Sequence, residues 1–197
     1  MENDVKNIMI VGVGGQGALL ASKTLGQVLL DSGYDVKVSE VHGMSQRGGS
    51  VVTYVRYGKK VYSPIIDKGE ADFIVSFELL EAARYTQYLK NGGCIITNTQ
   101  KIDPMPVITG NAEYPNDLVE KMKSSGFKVE AFDCLELAEK AGSQKSVNIV
   151  LLGCLSNYLS FPETEWMKAL EKQVKSQFLE MNKKAFSLGK NRSFVKK

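Results

Sequence analysis

Residues 40–50, Glu-Val-His-Gly-Met-Ser-Gln-Arg-Gly-Gly-Ser, gather the side chains best suited to chemistry. His42 is the only histidine of the chain, and Ser45, Gln46 and Arg47 form a polar run bracketed by Gly43, Gly48 and Gly49. The Arg47 guanidinium is a permanently charged planar fork. It suits a phosphate, a carboxylate, or a salt bridge to a neighbouring loop or another subunit. No acid or nucleophile can be placed beside His42 from sequence, so it reads as a hydrogen-bonding or packing residue before a catalyst. A second loop lies upstream, Gly12-Val13-Gly14-Gly15-Gln16-Gly17. Gly12, Gly14 and Gly17 fit the G-x-G-x-x-G spacing, which allows a sharp turn and leaves a helix N-terminus open to an anion. Glu40 follows at about the 20-residue distance expected of a ribose-binding acid. Asn98 and Asn148 fall at a strand end and near a helix start, where asparagine caps or orders loops. There is no Walker lysine motif, H-E-x-x-H or G-x-S-x-G, so no self-sufficient active site is legible.

The elements that must position these loops follow the hydrophobic periodicity. Asn7–Val11 reads as a buried strand, Ala18–Leu30 as a helix stopped by Ser32-Gly33, and Tyr34–Val41 as a second strand. Strand, glycine turn, helix and strand open a dinucleotide-type unit, which places both glycine loops on one edge of a mainly parallel sheet. Ser50–Tyr57 is strongly β. Gly58-Lys59-Lys60 suggests a hairpin turn into Val61–Ser63, a β-ribbon inserted in the series. Asp72–Ser76 and Cys94–Thr97 are further strands, separated by a helix over Glu78–Leu89 that Asn91-Gly92-Gly93 would end. Pro104 and Pro106 mark a loop, and Pro115–Ser124 is a helix. Lys128–Phe132 is the last strand, and Asp133 caps a helix over Leu135–Lys140. Val147–Leu159 is a buried helix by its length. Trp166, Leu170 and Val174, then Phe178, Met181, Ala185 and Leu188, stripe two C-terminal helices that break near Ser176. The fold class is α/β: a Rossmann-like three-layer fold with a mainly parallel sheet, an inserted β-ribbon and C-terminal helices, in one domain over 1–197.

Composition bounds the rest. At 197 residues, 43% hydrophobic and 24% charged, the chain suits one well-buried globular domain. No apolar run is long enough to span a bilayer and the N-terminus lacks a signal-peptide pattern, which points to the cytoplasm and to no membrane partner. Cys94, Cys134 and Cys154 have neither disulfide-framework nor cluster spacing and sit in or beside apolar runs, as buried thiols do. The net charge of +3 is uneven: residues 168–197 hold nine Lys or Arg against Glu171 and Glu180. With no nucleic-acid-binding motif beside it, that tail points to solvation or a protein partner, not nucleic acid.

The two loops together resemble the small (beta) subunit of indolepyruvate ferredoxin oxidoreductase, equivalent to the gamma subunit or domain of the 2-oxoacid:ferredoxin oxidoreductases. The likeness spans almost the whole chain. It includes Tyr54–Gly58, Ala71-Asp72, Ser76–Glu78, Glu81-Ala82, Arg84-Tyr85, Tyr88–Gly93, Tyr114-Pro115, Phe132-Asp133, Asn148, Leu152-Gly153, Asn182 and Ala185-Phe186. The Met-Ser-Gln-Arg loop is similar to the arylpyruvate branch. The resemblance implies ferredoxin-dependent oxidative decarboxylation of arylpyruvates to aryl-acetyl-CoA. Thiamine diphosphate, Mg and 4Fe–4S clusters are then expected on a large (alpha) partner subunit, with CoA as co-substrate and none of these cofactors bound by this chain alone. The candidate contact face, toward CoA or the large subunit, is Gly12, Gly14, Gly15, Gln16, Gly17, Glu40, His42, Gly43, Ser45, Gln46, Arg47, Gly48 and Asn98. Two competing readings stay open: an autonomous NAD(P)- or FAD-binding oxidoreductase built on Gly12, Gly14, Gly17 and Glu40, and a basic interaction module built on residues 168–197.

Overall fold

The computed structural model describes residues 5–42 and 49–192, His42 by its backbone alone. Six strands form one sheet in the order β2-β3-β1-β4-β5-β6. They are β1 (Lys6–Val13), β2 (Asp35–His42), β3 (Ser50–Gly58), β4 (Ala71–Ser76), β5 (Leu89–Asn98) and β6 (Lys128–Phe132). The helices are α1 (Ala18–Asp31), α2 (Leu79–Arg84), α3 (Met105–Ile108), α4 (Leu118–Ser124), α5 (Cys134–Ala141), α6 (Val147–Ser156), α7 (Glu163–Gln173) and α8 (Ser176–Lys190). Only β3 runs against the others: it pairs antiparallel with both β2 and β1, whereas β1, β4, β5 and β6 pair in parallel.

Strand β1 is buried on both faces, and its side chains alternate between two cores as a period of two requires. Ile8 and Ile10 join Val55, Val75, Cys94 and Ile96 under α1, α5, α6, α7 and α8. Met9 and Val11 join Val52, Ile74 and Ile95 under α2 and α4. A layer of helices on each face of one sheet gives three layers. Among the described residues, no helix is long and apolar enough to cross a membrane.

The structure corrects the expected elements at four places. The antiparallel strand is not a ribbon with its own return, because both edges of β3 are already taken by β1 and β2. Val61–Ser63 therefore has no ladder to join. It is tied by side chains instead: Val61 N–H donates to Asp35 at 2.9 Å, and Arg56 donates to the Ser63 and Ile65 carbonyls at 3.1 and 2.6 Å. The helix expected to Leu89 stops at Arg84, and Leu89 already begins β5. Gly92-Gly93 lies within that strand, at a break in its register with β4, and is not a helix stop. A Cβ on Gly93 would lie 2.9 Å from the Asp72 carbonyl, and the β4–β5 register slips between Ala71 and Phe73. Pro104 caps a short helical turn, α3, within the expected loop. On α8 the buried face is Asn182, Ala185, Phe186 and Gly189, rotated from the expected stripe, and Phe178 is exposed. Other elements agree with the sequence reading to within a few residues, including the Asp133 cap, whose carboxylate accepts from Glu136 N–H at 2.9 Å.

All three cysteines are free and buried. Burial pushes the Cys94 and Cys154 thiols up to about 11 and raises Cys134 well above the ordinary thiol range. The native chain at pH 8 is expected to resist a thiol reagent such as Ellman's, with three thiols appearing in denaturant. Rapid labelling of the folded protein would contradict that burial. Among the described residues, several C-terminal basic side chains are paired within the chain: Lys172 with Asp31 at 2.7 Å, Lys183 with Glu171 at 2.8 Å, Lys190 with Glu163 at 2.5 Å and Arg192 with Glu130 at 3.3 Å. That pairing favours a solvated, self-compensated face over a nucleic-acid-binding one.

Candidate functional site

The two glycine loops meet at the sheet edge where β1 and β2 end and β3 begins. His42 pairs with Val51, which in turn pairs with Gly12. The Gly14 N–H donates to the Gly49 carbonyl at 2.9 Å, joining the loops through their backbones. Gly43, Met44, Ser45, Gln46, Arg47 and Gly48 lie outside the described residues, as does the side chain of His42. The described ends of the two loops share one edge, as the β1–α1–β2 crossover leads one to expect, with Gly43 outside the described residues. β2 returns parallel to β1, and antiparallel β3 fills the gap between them.

Against the first loop is a cavity of about 360 Å³ lined by residues 13–19, Glu40 and Val51. Gly17 carries φ +88° at the start of α1, and a Cβ there would stand 2.7 Å from the Asn148 amide. Asn148 Nδ2 donates to the Gly17 carbonyl at 3.1 Å, so the third glycine allows α6 to approach the loop. The first turn of α1 has no side-chain cap and no acid. Its backbone N–H groups therefore border the cavity in an arrangement that favours an anion.

Gln16 and Asn98 have their amides committed. Gln16 accepts from Val13 N–H at 2.8 Å and donates to the Phe77 carbonyl at 3.2 Å and to Gln100 at 3.3 Å. Asn98, fully buried, donates to the same Phe77 carbonyl at 3.2 Å and accepts from Cys134 N–H at 3.1 Å. Asn98 thus underlies the face and does not line it. Gln100 completes this network and was not legible beforehand, because only the turn after β5 brings it to Gln16.

Glu40 is exposed on β2 and lines the cavity, with Thr53 Oγ1 3.5 Å from its carboxylate. In a dinucleotide-binding unit the acid-bearing strand lies next to β1. Here Glu40 pairs with Thr53, which pairs with Ile10. Glu40 is therefore two strand spacings from β1, about 9–10 Å in place of about 4.8 Å. That displacement counts against the NAD(P)-binding reading.

Behind the loops are two acids that no motif marks as site residues. Glu78 is buried and caps α2. Its carboxylate accepts from Glu81 N–H at 2.8 Å, Ile102 N–H at 3.1 Å and Tyr114 O–H at 2.6 Å. Glu81 accepts from Ser50 Oγ at 2.5 Å and pairs with Arg84 at 3.1 Å, while the Tyr85 hydroxyl lies 3.2 Å from Ser50 Oγ. Desolvation raises the Glu81 carboxyl above its usual range, against the opposing pull of Ser50 and Arg84. The signal available in sequence is two acids set among apolar residues, Phe77-Glu78-Leu79-Leu80-Glu81-Ala82, where surface acids would not be expected.

The fold, a mainly parallel sheet with one antiparallel strand wedged beside β1, is shared with solved oxidoreductase subunits. The chain belongs to the pyruvate ferredoxin/flavodoxin oxidoreductase family, which it matches over residues 7–192. It is 46% identical to the indolepyruvate oxidoreductase subunit IorB of Thermococcus kodakarensis over 93% of each chain, and 38% identical to that of Archaeoglobus fulgidus over 95% of this chain and 94% of the other. In fold it resembles the pyruvate oxidoreductase subunit PORC of Thermotoga maritima, at a TM-score of 0.73 and 22% identity over 94% of this chain and 95% of that one. It also matches the 2-oxoglutarate:ferredoxin oxidoreductase of Magnetococcus marinus, solved with 2-oxoglutarate, coenzyme A and succinyl-CoA bound. There the TM-score is 0.71 at 21% identity, over 96% of this chain but 31% of that longer one.

Proposed function

We propose that this chain is the small subunit of an indolepyruvate-type ferredoxin oxidoreductase, a complex that converts arylpyruvates, CoA and oxidised ferredoxin to aryl-acetyl-CoA, carbon dioxide and reduced ferredoxin. The observation that carries the reading is full-length likeness to IorB subunits at up to 46% identity. On this reading residues 1–197 form one gamma-type domain working in the cytoplasm beside a larger subunit. That partner carries thiamine diphosphate with Mg, which supplies the acyl-carbanion chemistry, and 4Fe–4S clusters. Among the described residues, no group of three or more His, Cys, Asp or Glu side chains is gathered as a cluster site on this chain would need. The loop face does fit an anionic group. The open first turn of α1 and the glycine backbone around the cavity suit a CoA phosphate or a carboxylate of the large subunit.

The test is co-expression with the large subunit and assay of arylpyruvate-dependent ferredoxin reduction. The isolated chain is expected to be colourless and inactive, and the complex active. Arg47→Ala, at a residue outside the described ones, is expected to cost about 1.5–3 kcal/mol, roughly ten- to a hundredfold, in the affinity that Arg47 serves. A raised CoA constant with intact assembly identifies the phosphate as its target, and weakened assembly the carboxylate. An iron–sulfur absorption band in the pure chain would overturn the division of labour. Saturable micromolar NAD binding by the chain alone would support the autonomous reading instead.

A further inference from the structure

We propose that Glu81 is the positioning residue that fixes the junction of the two glycine loops, where Gly14 meets Gly49. The connection runs in three links. The buried Glu81 carboxylate, on α2, takes the Ser50 hydroxyl at 2.5 Å. Ser50 is the first residue of β3 and stands opposite Val13, the last of β1. The preceding residue, Gly49, offers its carbonyl to the Gly14 N–H at 2.9 Å. One carboxylate therefore sets the residue where the second loop ends, and through it the backbone bond that ties that loop to the first.

The surroundings of Glu81 suit this task better than general stabilisation. A hydroxyl-to-carboxylate bond is shorter and about twice as strong as a neutral one, so it holds a loop end more tightly than Ser or Thr partners would. The second carboxylate oxygen is held by Arg84 at 3.1 Å, and the Tyr85 hydroxyl lies 3.2 Å from Ser50 Oγ, which fixes the hydroxyl from the other side. The helix that carries Glu81 is itself anchored: Phe77 N–H donates to the Val11 carbonyl at 2.9 Å, and Glu78 caps the first turn. The rigid reference is α2, and the loop ends at Gly14 and Gly49, which have no side chains to pack, are what it aligns. The importance of this alignment rests on the reading that the loop face meets CoA or the large subunit.

Two measurements on the full chain and its complex test the proposal. The first is amide exchange in the isotopically labelled chain. Ser50→Ala and Glu81→Ala are expected to speed exchange at Gly14 by about tenfold while the amides of Leu25–Leu29 in α1 keep their protection. Glu81→Gln, whose amide oxygen still accepts from Ser50, is expected to stay within about threefold of wild type. Unchanged exchange at Gly14 in Ser50→Ala overturns the proposal, and so does equal acceleration at Leu25–Leu29, which would make Glu81 a general stabiliser. The second measurement is the CoA constant and subunit affinity of the assembled complex. Ser50→Ala is expected to worsen one of them several-fold without lowering kcat. If Arg47→Ala moves either quantity and Ser50→Ala moves neither, the positioning role is overturned while the face keeps its function. If both variants are silent there and Gly14 still responds, the face has been misread and the link between the loops stands.

Discussion

Gly153→Ala is expected to destabilise the chain by about 3 kcal/mol or more, lowering its melting temperature by roughly 6–12 °C, although alanine is the better helix former. Gly153 lies in α6 and Gly189 in α8, and the two helices touch backbone to backbone. A Cβ on Gly153 would stand 2.1 Å from the Phe186 carbonyl, and one on Gly189 2.0 Å from the Val150 carbonyl. Real Cβ atoms do not approach closer than 3.0 Å. The helices would have to part by about 1 Å in an interior packed as densely as a crystal. Helix propensity favours alanine by only about 1 kcal/mol, so the steric term wins. Because both glycines serve one contact, Gly153→Ala with Gly189→Ala should cost clearly less than the sum of the two. Gly26→Ala in α1 is the control, since its Cβ would meet nothing nearer than Val38 Cγ2 at 3.9 Å. It should be neutral or stabilising by up to about 1 kcal/mol. Urea and thermal unfolding of the four variants, the two singles, their double and the Gly26→Ala control, decide it, and a Gly153→Ala chain as stable as wild type would refute the close contact.

The second large effect concerns Glu78, where the isosteric change is not conservative. Its two oxygens accept from three donors, Glu81 N–H, Ile102 N–H and Tyr114 O–H. A carboxamide has one acceptor oxygen. Set toward Ile102 and Tyr114, it turns its NH2 against the Glu81 N–H; flipped, it opposes the other two donors. Glu78→Gln should therefore cost about 1–3 kcal/mol, the penalty of one buried unsatisfied donor. Glu78→Ala removes all three bonds and should cost about 3 kcal/mol or more. The loss should be felt at the site as well, because Glu78 holds Ile102 and Tyr114, near the two ends of the loop between β5 and α4, and caps the helix that carries Glu81. Denaturant unfolding measures the first effect, and proteolysis of the loop over residues 103–113 reports the second. Wild-type stability in Glu78→Gln would mean that the three donors find other partners.

Much of this molecule was determined by its sequence alone, wherever a local pattern has one physical solution. The continuous apolar run in Asn7–Val11, the nearly all-apolar stretch from Val147, the Asp133 cap and the glycine spacing at Gly12, Gly14 and Gly17 each specify an element without reference to distant residues. The loop sequence from Glu40 to Ser50, together with Gly12–Gly17, indicated the family through its resemblance to known members and not through composition or periodicity.

Tertiary structure decided what depends on neighbours far along the chain. β propensity marks Ser50–Gly58 as a strand but cannot say which strands flank it. Its place between β1 and β2 left Val61–Ser63 without a partner and moved Glu40 a strand away from the first glycine loop. Gly92-Gly93 reads locally as a helix stop but lies in β5 at a break in register with β4, where the Asp72 carbonyl leaves no room for a Cβ on Gly93. The buried stripe of α8 follows Gly189 and Ala185, since the closest approach to α6 is set by backbone clearance and not by hydrophobicity. The Ser50–Glu81 bond spans 31 residues and the Gln16–Gln100 bond 84. Such pairings are fixed by where strands end in space, and no periodicity in a single sequence encodes them.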